Sequence, residues 1–172
     1  MKKVSRAIFL LLLVNIAGCD FDRVGAMCAD HIAPTDLGSF ELDQNGLAYD
    51  AATGLSWFRC AAGQRHTANG CVGEPTLLRW SEVDGYLAEL REVSGINWRL
   101  PKYSELESIM RDDCVWPAMN VNVFRNLMIE NYWAKGEGIN ARKACMVYNM
   151  NGARSCRLIQ DNPLPLLMIK AP

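Results

Sequence analysis

The sequence predicts an α+β domain, with two amphipathic helices set among short antiparallel strands and the whole stapled by disulfides. Three observations carry that expectation. Segments 79–93 and 104–110 have helical periodicity, several short runs alternate with period two between turn residues, and the cysteines suit an exported chain.

The chain opens with Lys2, Lys3 and Arg6 before an apolar run from Ala7 to Ile16. That run is too short to span a bilayer as a permanent helix and reads as a secretory signal. It ends Ile16-Ala17-Gly18-Cys19, which resembles the lipobox of bacterial lipoproteins. The resemblance implies that residues 1–18 are removed and that Cys19 is lipidated on sulfur and becomes the N-terminus. Two or three acyl chains hold a soluble domain at a membrane surface, where one chain binds only marginally. Asp20 resembles the signal that keeps such proteins in the inner membrane of enteric-type bacteria. The expected location is therefore membrane-anchored, facing the periplasm or cell surface, with a lean to the inner membrane.

Removing the signal takes away three basic residues and no acidic one, so 15 Lys+Arg remain against 19 Asp+Glu, a net charge of −4. A mildly acidic domain without a Lys/Arg run is not expected to bind nucleic acid or to carry a polybasic membrane patch.

Setting Cys19 aside leaves Cys28, Cys60, Cys71, Cys114, Cys145 and Cys156, an even count that reads as a disulfide framework in an exported domain. Cys60 and Cys71 bracket the polar loop AAGQRHTANG. Cys145 and Cys156 flank MVYNMNGARS, a hairpin with Asn151-Gly152 in its turn. A four-residue loop over 149–152 puts those two cysteines opposite each other. Cys28 and Cys114 remain for one another. A metal site is not expected, because there is no C-x-x-C pair and only two histidines.

Residues 19–37 read as a lipidated tether and 38–172 as the domain. Ser39 to Tyr49 alternates around D-Q-N-G, a short hairpin, and Thr53 to Trp57 is a turn entering a strand. Trp80, Val83, Leu87 and Leu90 make one apolar face of a helix over Arg79 to Val93, with Gly95 as its stop. Trp98 and Leu100 alternate as strand residues facing a core, and Pro101 ends that strand. Arg99 is expected to pair with Glu105 and brace the junction. The next helix is expected to start at Ser104 with Glu107 completing a capping box, burying Leu106, Ile109 and Met110. Short strands are expected at 131–134, 144–148, 155–159 and 166–169, with one terminal strand closing on the other.

A family resemblance covers nearly all of this domain. LAYDAATGLSWFRC (Leu47 to Cys60) resembles a "V-x-D-x-x-T-G-L-x-W" opening, and Trp80 to Val83 a "W-x-E-A" helix start. Trp98-Arg99-Leu100-Pro101 with Glu105-Leu106 resembles "W-R-L-P-x-x-x-E-L". Cys114, Pro117, Asn120 and Phe124 fit "C-x-x-P-x-x-N-x-x-x-F", and Tyr132-Trp133 fits "Y-W-S-S", where Ala134 departs from the serine. Met146 to Gly152 resembles a "V-x-F-x-x-G" hairpin, whereas Leu164 to Lys170 is apolar in place of a polar "V-R-C-V-R" end. The chain is thus similar to the bacterial family whose namesake is the C-terminal domain of the Legionella collagen-like protein. That resemblance implies a C-type-lectin-like fold and binding of sulfated glycosaminoglycans.

Among the five tryptophans, Trp57, Trp80, Trp98 and Trp133 sit inside fold motifs, which leaves Trp116 as the one expected to be exposed. Arg142, Lys143, Arg154 and Arg157 gather around the Cys145–Cys156 hairpin and are the expected place for an anionic ligand. Glu74-Pro75-Thr76 lacks the asparagine of the calcium-lectin element, so neither calcium nor another cofactor is expected. His31 and His66 stand beside no nucleophile motif, and catalysis is not expected. The sequence therefore points to a lipid-anchored extracytoplasmic module for an envelope or surface glycan. The alternative is a protein-interaction accessory subunit of a cell-envelope secretion or attachment assembly. Oligomeric state has no signature.

Overall fold

The computed structural model describes residues 25–158 and 162–172. The signal segment, Cys19 and Asp20 lie outside the described residues, as does Ile159 at the end of one expected strand. A short helix α1 (Cys28–His31) is followed by strands β1 (Phe40–Leu42), β2 (Leu47–Asp50), β3 (Leu55–Phe58), β4 (Arg65–Thr67) and β5 (Gly70–Val72). Then come helix α2 (Val83–Ser94), β6 (Trp98–Arg99) and helix α3 (Tyr103–Ser108). The chain closes with β7 (Asn131–Lys135), β8 (Ala144–Tyr148), β9 (Ala153–Arg157) and β10 (Ile169–Lys170). One sheet runs β1-β2-β3-β10-β6, a second β7-β8-β9, and β4-β5 is a separate hairpin. Every strand pair is antiparallel. The fold is thus mixed helix and sheet, with bridges Cys28–Cys114, Cys60–Cys71 and Cys145–Cys156. Among the described residues no helix is long and apolar enough to cross a membrane.

The β7-β8-β9 sheet divides the interior. Tyr132, Ala134, Cys145 and Val147 face one core with Leu106, Trp57 and Phe124. Trp133, Ala144 and Met146 face the other, with Val83, Leu87 and Trp98. Period two along each strand produces this split. The C-terminal segment is the seam: Leu166 and Met168 enter one core, Leu167 and Ile169 the other. An extended segment buried on both sides has no polar face, which explains the apolar end at 164–169. It hydrogen-bonds through Ala62 N to Leu166 O and Phe58 N to Met168 O. β10 therefore lies between β3 and β6 rather than against the first strand, a correction to the expected closure of one terminal strand on the other.

Local chemistry accounts for the motifs. Asp50 accepts from the Thr53 hydroxyl (2.6 Å) and from Ala52 N (3.1 Å), and Gly54 takes φ 73°, so D-x-x-T-G is a turn built on one carboxylate. Gly95 ends α2 at φ 66° with its N–H on Arg91 O. Helix α3 starts earlier than expected, because Lys102 N–H donates to Glu105 Oε2 at 2.7 Å. Glu105, not Glu107, makes the cap, and Glu107 instead pairs with Arg154. Residues 25–37, placed in the tether by sequence, lie against the domain. Cys28 is bonded to Cys114 and its N–H donates to Val115 O at 2.8 Å, while Asn120 and Asn122 donate to Asp36 O.

Candidate functional site

The expected brace is present and is bidentate. Arg99 Nη1 donates to Glu105 Oε2 at 2.6 Å and Nη2 to Oε1 at 2.8 Å. Burial alone would raise the Glu105 carboxyl. The hydrogen bonds from Arg99 and Lys102 N–H, with the charges of both residues, outweigh it and hold the group below its ordinary value. In W-R-L-P-x-x-x-E-L, the tryptophan and the last leucine fill opposite cores while the arginine and glutamate lock strand to helix.

This brace forms one wall of a cleft of about 350 Å³ lined by Asp84, Leu87, Arg91, Arg99, Leu100, Lys102, Glu105 and Lys135. Buried Leu87 and Leu100 make its floor, and exposed Arg91, Lys102 and Lys135 its rim. A parallel bridge sets the backbones of Lys102 and Lys135 side by side, with Lys135 N–H on Pro101 O at 2.8 Å. Like charges on neighbouring strands repel, yet among the described residues neither lysine has a carboxylate in salt-bridge contact. Glu105 is taken by Arg99, and nearby Glu137 accepts from Ser104 N–H at 2.9 Å. Asp84 is the one other acid in the lining. With Arg99 and Glu105 spent on each other, the cleft holds three further cations, Arg91, Lys102 and Lys135, against Asp84.

The hairpin cations do not form one patch. The register Cys145↔Cys156 and Val147↔Arg154 puts Arg154 on the α3 side of its sheet, paired with Glu107 and 5.8 Å over the Tyr103 ring. Arg157 lies on the opposite face, because successive strand residues alternate. It stands opposite Ala144, which in turn stands opposite Lys135, so Arg157 extends the row that begins at Lys102 and Lys135. Arg142 and Lys143 precede β8 at this same end of the sheet and are exposed and half-buried. Lys102, Lys135 and Arg91 were not singled out by sequence. They are scattered along the chain, and the Lys102–Lys135 bridge and helix α2 bring them together.

Trp116 is 44% exposed, whereas Trp57, Trp98 and Trp133 are buried and Trp80 is half-buried. It lies in a different cleft of about 570 Å³. A model of the Lcl C-terminal domain family matches residues 46–167, a stretch that holds every lining residue of both clefts. No curated protein and no solved structure matches the chain.

Proposed function

The chain belongs to the Lcl C-terminal domain family, and from that premise we propose that it is a lipid-anchored, extracytoplasmic module that binds an anionic envelope or surface glycan. The observation that carries this reading is the cleft where Arg91, Lys102 and Lys135, beside the Arg99–Glu105 pair, surround an apolar floor in a chain of net acidic charge. A sulfated or carboxylated sugar suits it: the anion meets the lysines and the ring's apolar face meets Leu87 and Leu100. In this reading Cys19 carries the lipid, Asp20 favours the inner membrane, and the fold is a lectin-like scaffold without catalysis. The test is a glycan array probed with the full-length chain in a detergent that has no sugar headgroup. Retention on sulfated glycans that falls with added salt supports the proposal; equal signal on charged and uncharged glycans sinks it.

A second reading, an accessory subunit docked on an envelope protein, draws on the outer face of α2. Tyr86, Leu90 and Val93 line a shallow apolar cleft there, and Val93 is 82% exposed. An envelope protein that co-purifies with the chain and is lost with Val93→Asp, beside a blank array, favours this reading over the first.

A further inference from the structure

The second cleft is chemically unlike the first. It is lined by Asn69, Trp116, Pro117, Asn122, Arg125 and Asn126, with Val121, Phe124, Leu127 and Ile129 behind them. Among the described residues, the two non-glycine residues with positive φ, Trp116 (59°) and Asn126 (60°), both line it. Asparagine tolerates the left-handed region; a bulky tryptophan there is strained and persists only when its surroundings hold it.

Those surroundings are specific. Trp116 N–H donates to Met150 O (2.9 Å) and Ala118 N–H to Asn149 O (2.7 Å), which tie the loop to the β8–β9 turn. Cys114, just before it, is bridged to Cys28. The facing wall is the tip of the β4–β5 hairpin, closed by Cys60–Cys71. Gly70 there permits close approach: a Cβ on it would stand 2.9 Å from Arg125 Cβ and 3.1 Å from Asn126 Nδ2. Both walls are thus fixed by disulfides, and a strained indole is held open to solvent between them.

We propose that this cleft binds an uncharged gluco-configured pyranose, stacked on Trp116 and hydrogen-bonded by the side-chain amides of Asn69 and Asn126. The flat axial C–H face of such a ring matches an indole face, and amides donate to and accept from its equatorial hydroxyls. Among the described residues neither of those amides has a side-chain hydrogen-bond partner, whereas Asn122 Nδ2 is spent on Ala33 O and Asp36 O. Arg125 is the one charged group in the lining, against four cations in the first cleft, and neutral amides make up the rest of its polar side chains apart from the Trp116 indole N–H. Its volume lies within the range that ligand pockets take. The proposal rests on the glycan-binding reading only for the class of its ligand.

The test is titration of the full-length chain, in the same kind of detergent, with chitotetraose and cellotetraose while tryptophan emission is followed. A saturable blue shift is expected with at least one of them, unchanged by salt. Trp116→Ala should weaken it by at least roughly tenfold. Asn126→Gly keeps the left-handed backbone but removes the amide, and should weaken binding roughly fivefold with no loss of thermal stability. The charge-reversed pair Lys102→Glu/Lys135→Glu should bind the neutral sugars as the wild type does, whether or not it still binds sulfated glycans. No saturable change with either sugar, a change that survives Trp116→Ala, or its loss in the charge-reversed pair would each overturn the proposal.

Discussion

Arg99 occupies a double position, in the brace and in the wall of the basic cleft. Its two short hydrogen bonds to Glu105 are half-shielded, with side-chain exposures of 31% and 16%. Replacing Arg99 with alanine strands a largely buried carboxylate and loosens the cap on α3. Loss of about 2 kcal/mol of stability is expected in urea unfolding, and Arg99→Lys should recover less than half of it. His66 poses a different residue-scale question. It shares a 2.9 Å contact with Nη1 of buried Arg59, so its Nε2 is the acceptor and the ring is neutral. Burial, then the Arg59 charge, lowers its proton affinity below the ordinary value. The unfolded chain therefore binds more protons than the folded one below the unfolded His value of about 6.5. This contribution is fully present above that pH and is lost as pH falls toward the lower folded value. Stability should drop on acidification through that window, and His66→Gln should flatten the drop; an equal slope in both proteins would refute the assignment.

At the scale of elements, the β8–β9 hairpin shows what sequence reveals and what it hides. Its four-residue turn sets the register by counting, so the opposed pair Cys145 and Cys156 was legible. The role of Asn149 in that turn was not. Fully buried, it donates from Nδ2 to Met128 O (2.8 Å) and accepts Glu130 N–H (3.0 Å), while its carbonyl holds the Trp116 loop through Ala118. Those partners are remote in sequence and carry no local signature. Asn149→Ala leaves the Glu130 N–H without its acceptor and the Met128 carbonyl with the Tyr132 hydroxyl as its one remaining donor, and should cost roughly 1–3 kcal/mol, read in thermal unfolding. The start of α3 was misread for a related reason. Ser104-x-x-Glu107 is the better local pattern, but Arg99 and Lys102 N–H recruit Glu105, and the tertiary pairing prevails.

For the whole molecule, the apolar periodicity was enough to give the mixed helix-and-sheet class and the cysteines the three bridges, two by local counting and Cys28–Cys114 by elimination. The Cys28–Cys114 bridge closes a separation of 86 residues and the other two close 11 each, so the first constrains the unfolded chain most. It also fastens residues 25–37 to the domain. The basic cleft was not legible, because a strand bridge and a helix bring its cations together from separate parts of the chain. Sequence placed the anion site at Arg142, Lys143, Arg154 and Arg157 around the hairpin, whereas the alternation of β9 commits Arg154 to Glu107 and leaves Arg157 on the face that Lys135 shares. The account therefore makes a direct demand on one measurement, the salt concentration that elutes each variant from immobilised heparin. The Lys102→Glu/Lys135→Glu protein should elute at much lower salt than the wild type, and Arg154→Ala should elute with the wild type. The reverse order, with the lysine pair unaffected and Arg154→Ala released early, would contradict the assignment of the cleft.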